Sequence, residues 1–105
     1  MSQSTHKITV NGNVNLMTAL SAAGFRGSGG LTDLIIVNKN ATIVYVNLTP
    51  TAGTPPATPA DGHPLGTGET STEFRLTNTK IPAHSVWLYA AVSVNVVVTA
   101  IGGGY

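Results

Sequence analysis

The chain has 105 residues, no cysteine and very few charged side chains, which make up 9% of the sequence and leave a net charge of +1. This length indicates a single domain, residues 1–105, and the missing cysteines exclude disulfides and thiolate metal sites. The five cations are scattered and offset by four acids, which excludes the basic surface of a nucleic-acid binder. No signal-like or bilayer-spanning apolar segment is present, so we expect synthesis in the cytoplasm and no membrane partner.

The low charge has two explanations. An ordinary globular domain carries about 25% charged residues. A surface of Thr, Ser, Asn and Gly, all abundant here, would account for the deficit without a partner. Alternatively, other subunits cover much of the surface, because a net charge near zero promotes association. The second explanation is favoured, and the first stays open.

The first predicted elements are a strand over residues 5–10, ended by an Asn-Gly turn signal, and a helix over about residues 15–23. The helix is indicated by apolar residues at positions i, i+3, i+4 and i+7, namely Leu16, Ala19, Leu20 and Ala23. Asn13 or Asn15 can cap its N-terminus, and Gly24 suits the left-handed conformation that often follows a helix.

Three further strands are predicted in the middle of the chain. Residues 33–39 and 41–49, joined through an Asn-Lys-Asn turn signal, predict the two arms of a tight hairpin. Apolar side chains occur on both faces of the second arm, so we expect it to be covered on both sides. Residues 74–78 predict another strand, and the proline in segment 81–84 predicts a bend after it.

The uncharged run VWLYAAVSVNVVVTA, residues 86–100, is too short and too β-branched for a membrane helix. It predicts either two strands that turn near Val92-Ser93 or one long strand with a bulge. Trp87 and Tyr89 are two residues apart and therefore point to the same side of a strand. If exposed, they could stack on a sugar. If buried, as their apolar neighbours favour, they would anchor the core or a subunit interface.

Residues 50–70 contain five prolines and four glycines and show no strand pattern. A loop of this length is uncommon in a compact domain, and such loops are usually functional or mobile. The segment is either a passive mobile loop or an arm that lies along a neighbouring subunit, with Leu65 as its one large apolar anchor. Residues 102–105 are expected to form a frayed tail.

No catalytic, cofactor or metal site is indicated by the sequence. None of the three histidines has a partner at metal-ligand spacing; they are His6, His63 and His84. Asp61 is close enough to His63 for an Asp–His pair, but solvation of the loop is the simpler explanation. Glu69 and Glu73 would be about 13 Å apart on one strand face, too far for a glycosidase pair. Ion pairs with nearby cations are the simpler explanation for these two carboxylates.

Four segments, taken in order, resemble a known family; they are VNLMTALSAAGF, LTDLIIVNKNATIVYVNLT, HPLGTGETSTEFRL and VWLYAAVSVNVVVTA. The chain resembles small accessory virion proteins of tailed bacteriophages, and similar modules in phage head and tail proteins. In these, a hairpin of the kind I-x-N-x-N-x-x-x-V-Y-V leads to a loop with a P-L-x-x-G-E element. The likeness extends over about residues 5–101, although loop 50–70 is longer than the pattern leads us to expect.

The resemblance implies an all-β fold, an antiparallel β-sandwich or jelly-roll-like domain with one short helix near the N-terminus. It also implies a capsid decoration (cement) protein on the virion, a homo-oligomer, with a trimer favoured, bound to the phage major capsid protein. No enzyme activity or cofactor is implied. The expected interface residues are Leu65, Trp87, Tyr89, Val94, Val96 and Val98. A tail, neck or fibre component is the second hypothesis, and a carbohydrate-binding module that uses Trp87, Tyr89 or loop 50–70 is the third.

Overall fold

A computed structural model describes residues 2–25, 31–77 and 84–102. Within them lie strands β1 (Ser2–Asn15), β2 (Leu31–Val37), β3 (Val44–Leu48), β4 (His63–Leu65), β5 (Glu73–Leu76) and β6 (Val86–Gly102), with one helix, α1 (Leu16–Ala22). A single 3-10 turn, Pro59–Asp61, precedes β4. The prediction of an all-β fold with one short helix near the N-terminus is confirmed, and the strands form a nearly closed antiparallel sheet.

Strand β6 is the centre of this sheet. On one side it pairs with β1 along almost its whole length, from the pair Gly102–Ser2 to the pair Trp87–Asn15. On its other side β2 and β3 lie end to end, β2 against its second half and β3 against its first half. Strand β5 then extends the sheet beyond β2, and β4 extends it beyond β3. The sheet therefore has four rows, of which two consist of a pair of short strands.

The pairing of β6 with its neighbours is interrupted within residues 90–96. On one side β2 and β3 leave these residues unpaired, and on the other side the pairing with β1 is irregular. In β1 the register shifts between Val10, which pairs with Val94, and Gly12, which pairs with Ala90, so β6 forms a bulge at this level. Gly12 has a φ of 68°, a left-handed conformation that glycine adopts without steric cost. Of the two alternatives for the apolar run, one long strand with a bulge is confirmed. The predicted end of the first strand at the Asn-Gly signal is wrong, because β1 continues through it.

One face of the sheet encloses the core. Every even-numbered residue of β6 from Val86 to Ala100 is buried except Val92. Side chains of the other strands and of α1 complete this interior, including Ile8, Val10, Leu34, Ile36, Val44, Val46, Leu65, Leu16, Met17 and Leu20. The accessible area of the chain, 5484 Å², is close to the roughly 5,500 Å² typical of a monomer of this mass. The apolar runs of the sequence are thus covered largely by the chain itself.

The helix prediction is confirmed to within one residue at each end. The side-chain oxygen of Asn15 accepts a hydrogen bond from the Thr18 backbone N–H at 3.2 Å, so Asn15, one of the two candidates, is the N-cap. Gly24 follows the helix with a φ of 108°, as the left-handed position requires. A helix of seven residues is not stable alone, and Leu16, Met17 and Leu20 bury it against the sheet.

The predicted hairpin is wrong, because β2 and β3 do not pair with each other. The segment between them, residues 38–43, forms a corner held by Asn38, whose side chain is fully buried. Its Nδ2 donates to the carbonyl oxygens of Thr42 at 2.9 Å and Leu65 at 2.8 Å. Its Oδ1 accepts from the Asn40 backbone N–H at 3.1 Å. These hydrogen bonds hold the corner in place without the strand-to-strand hydrogen bonds of a hairpin.

Loop 50–70 contains regular structure that was not predicted. It includes the 3-10 turn and β4, which pairs with β3. The Gly53 N–H donates to the His84 carbonyl at 2.8 Å, which ties the start of the loop to the beginning of β6. Two predictions lie largely outside the described residues. They are the proline bend, of which 81–83 are not described, and the frayed tail, of which 103–105 are not described.

Candidate binding surface

The outer face of the sheet, opposite the core, carries three half-buried aromatic side chains near the β3–β6 junction. Trp87 and Tyr89 alternate with core residues of β6 and therefore point outward. Tyr45 of β3 lies directly opposite Tyr89, with the ring centroids 6.2 Å apart and the rings tilted by 38°. We call Tyr45, Trp87 and Tyr89 the aromatic surface. Tyr45 was not among the predicted interface residues, although its alternation with the apolar Val44 and Val46 indicates that it points to the opposite face of β3.

Trp87 lies at the margin of the aromatic surface, between Asn15 of β1 and Asn47 of β3. Asn47 Nδ2 donates to the Pro59 carbonyl at 3.0 Å, which holds the 3-10 turn beside this part of the sheet. The indole Nε1 of Trp87 is buried and has no hydrogen-bond partner, and the same is true of Ser85 Oγ. Of the two alternatives for buried Trp87 and Tyr89, a place in the core is wrong, because strand alternation places both, half-buried, on the outer face. Their role in a subunit interface stays a prediction.

The other four expected interface residues lie inside the chain's own core. Leu65 and Val98 are fully buried, Val96 is 1% exposed and Val94 is 8% exposed. The interface assignment is wrong for these four residues, because their side chains offer no surface to a partner. Asn95 and Thr99, which alternate with the valines, were the sequence signal that the odd-numbered positions face outward.

Three large apolar side chains are exposed in the described part of the chain. They are Leu48, 54% exposed, Val92, 59% exposed, and Val97, 46% exposed. Val97 lies between Lys7 of β1 and Val37 of β2 on the outer face.

Neutral polar side chains lie around Val97, together with Lys7 directly opposite it in β1 and Lys39, which lines the same hollow. The hydroxyls of Thr5 and Thr99 are 2.9 Å apart, and Thr9 Oγ1 donates to Asn95 Oδ1 at 2.6 Å. We call Val97 with these four residues the threonine–valine surface. Its polar side chains pair with one another across β1 and β6, so the surface is ordered. Its five residues are neutral, and Lys7 and Lys39 lie beside it.

The titratable side chains are dispersed over the described chain. His6 contacts Ser4 and Phe25, whereas the His63 ring lies 5.4 Å from that of Phe74. Glu73 forms an exposed ion pair with Arg75, with an N–O distance of 3.3 Å. No group of three or more His, Cys, Asp or Glu residues in ranges 2–25, 31–77 and 84–102 could hold a metal ion. Over the same ranges, no helix is long and apolar enough to cross a membrane.

No protein-family model matches the chain, and no curated protein or solved structure is significantly similar to it. Conclusions about function therefore depend on the chain's own residues.

Proposed function

We propose that the chain is a non-enzymatic structural protein of a bacteriophage virion, and in particular a capsid decoration (cement) protein. It forms a homo-oligomer, with a trimer favoured, on the major capsid protein and stabilises the head. The proposal includes the finer fold assignment, a sandwich or jelly-roll-like domain. The observation that carries it is the threonine–valine surface, an ordered and largely neutral outer face around the exposed Val97, with Lys7 and Lys39 as its charged neighbours.

Two physical arguments support a docking role for this surface. Charged residues are depleted in the buried centre of protein interfaces, and the charged side chains beside this surface are two lysines, Lys7 and Lys39. The interior is already closed by the chain's own residues, so the subunit can fold first and dock afterwards through its outer face. Each Å² of apolar area covered there contributes roughly 25 cal/mol before the cost of association is subtracted.

The test is co-sedimentation with undecorated heads of the phage that encodes the chain. Val97→Asp places a carboxylate at the centre of the threonine–valine surface. Lys7 lies directly opposite position 97 in β1, so a cation is available and we expect an unchanged melting temperature. The control, Thr67→Asp, adds the same charge in an exposed loop.

We expect Val97→Asp to weaken head binding by roughly tenfold or more, since a desolvated charge costs more than about 1.4 kcal/mol. The control should bind as the unmodified protein does. Failure of the unmodified protein to bind heads would refute the proposal. Equal head binding by both variants would show that the threonine–valine surface does not contact the head.

A tail, neck or fibre component would use the same kind of neutral surface. The position of the chain in an electron-microscopy map of the virion separates this alternative from a place on the head.

A carbohydrate-binding module is the second candidate function, and the aromatic surface favours it. Tyr45 and Tyr89 present partly exposed rings side by side, which is a platform on which a sugar can stack. Screening the protein against glycans, with Tyr45→Ala and Tyr89→Ala as variants, tests this function. Glycan binding that both variants abolish would establish it, and no binding by the unmodified protein would reject it.

A further inference from the structure

We infer that the open edge of β1 is a docking site for the same edge of a second copy of this chain. The two β1 strands pair antiparallel around a two-fold axis and join the two sheets into one. This inference goes beyond the proposed function, because a contact that closes at two copies is separate from the favoured trimer, and it does not depend on the capsid.

The edge itself is long and open. Strand β1 spans fourteen residues and pairs with β6, while no other strand of the described chain lies along its second side. In a strand, alternate backbone N–H and C=O groups point to each side, so this edge presents a row of groups that an added strand can bond.

The features that usually protect an edge are nearly absent from β1. Natural sheets block open edges with proline, charged side chains or very short strands. Residues 2–10, before the register shift, contain no proline and a single formal charge, on Lys7. The protein therefore leaves a nine-residue stretch of edge open to pairing.

The opposite edge of the sheet is protected. There β4 has three residues and contains Pro64, and β5 has four residues and carries the exposed Glu73–Arg75 ion pair. Pairing of β1 with this edge of the next copy would generate an open filament, and these features disfavour it. Pairing of β1 with β1 closes at two copies.

The charge of β1 is compatible with pairing to itself. When His6 lies opposite His6 of the partner subunit, Lys7 lies opposite Thr5 of the partner subunit. Both lysines then face a hydroxyl rather than each other. The outward-facing side chains Thr5, Lys7 and Thr9 are all exposed in the single chain, so they are available to this contact.

The experiment is sedimentation of the full chain over a range of micromolar concentrations. Thr5→Lys/Thr9→Lys places lysines on either side of Lys7 along the edge. The matched control, Thr54→Lys/Thr67→Lys, adds the same charge at exposed loop positions. We expect dimers of the unmodified protein and of the control, and a dissociation constant raised at least roughly tenfold in the edge variant, because like charges on opposed strands repel. Melting temperatures verify that every variant is folded.

The opposite substitution gives a second, independent readout. Thr5→Glu places a carboxylate opposite Lys7 of the partner subunit in both halves of the dimer. It should tighten the dimer at low salt and lose that advantage at high salt, whereas Thr67→Glu should not. Hydrogen exchange of the unmodified protein should show β1 amides that become protected only as its concentration rises.

A monomeric unmodified protein would overturn the inference, as would equal dissociation constants for the edge variant and its control. A Thr5→Glu variant that associates no more tightly than the unmodified protein would reject this pairing. An unmodified protein that is monomeric in solution but binds heads overturns only this inference. A normal dimer that binds no heads refutes only the proposed function.

Discussion

Asn38 illustrates how a single buried side chain can determine the path of the backbone. Its amide group bonds carbonyl oxygens in the corner and at the end of β4, and it also accepts the Asn40 N–H. A buried amide of this kind is stabilising only while all of its partners are present.

We predict that Asn38→Ala lowers the free energy of unfolding by about 2–3 kcal/mol, because buried carbonyl and N–H groups lose their partner. Urea denaturation measures the change. Asn13→Ala is the control, since Asn13 is exposed, and it should change stability by less than about 0.5 kcal/mol. Equal effects of the two substitutions would contradict the corner role of Asn38.

Leu65 is a core residue in this structure, whereas the sequence suggested an interface anchor. Leu65→Ala should therefore destabilise the protein by about 2–5 kcal/mol, as for other fully buried leucines. The control is Leu48→Ala, at a leucine that is 54% exposed, and it should cost less than about 1 kcal/mol. Thermal or urea unfolding measures both. If Leu65→Ala unfolded normally but lost self-association, Leu65 would be an interface residue after all.

The sequence revealed which side chains are apolar but not which of them face a partner. Residues 94–98 contain valines at both even-numbered and odd-numbered positions. Strand alternation alone therefore did not show which face of β6 is the buried one. Val96 is buried and Val97 exposed because the even-numbered side of β6 faces the core, and the elements that cover this side lie far away in the sequence. Asn38 could not be identified either, because an asparagine before a turn is ordinary until its distant partner Leu65 is known.

Among the elements, the bent pair β1–β6 depends on one glycine. A Cβ at Gly12 would meet no atom within 4 Å. An alanine there is therefore disfavoured only by the left-handed backbone conformation. We predict that Gly12→Ala destabilises the protein by about 1–2 kcal/mol. Gly68→Ala is a matched control. A Cβ at Gly68 would also meet no atom within 4 Å, but the backbone there is not left-handed, so this substitution should not destabilise the protein in the same way. Differential scanning calorimetry of both variants checks this, and equal melting temperatures would contradict it.

Elements with local signals were predictable, and elements defined by distant pairing were not. The helix was found because its cap, its apolar face and its terminal glycine all lie within ten residues of one another. The Asn-Lys-Asn segment has the composition of a hairpin turn. It is a corner instead, because β2 and β3 pair with β6 and not with each other. Strand β4 has three residues including Pro64, which is too little for a strand pattern.

At the scale of the whole molecule, few charged side chains are available to stabilise the fold. Charged residues are 9% of the sequence, and the Glu73–Arg75 pair is exposed, with side chains 45% and 54% accessible. Exposed pairs contribute less than about 1 kcal/mol and are screened by salt. We predict that the free energy of unfolding changes by less than about 1 kcal/mol between low salt and moderate sodium chloride. Urea titrations at two salt concentrations measure it, and a large loss of stability would reveal an electrostatic network.

The central position of β6 also constrains when the sheet can form during synthesis. Strands β1, β2 and β3 all pair with β6, which follows them in the chain. As the ribosome makes the earlier strands, their hydrogen-bonding partner does not yet exist, and β1 must wait for nearly the whole sequence to emerge. Loop closure over such separations is slow. Strands β2 and β3 can pair with β5 and β4 before β6 is made, whereas β1 has no partner strand in the described chain until residues 86–102 arrive.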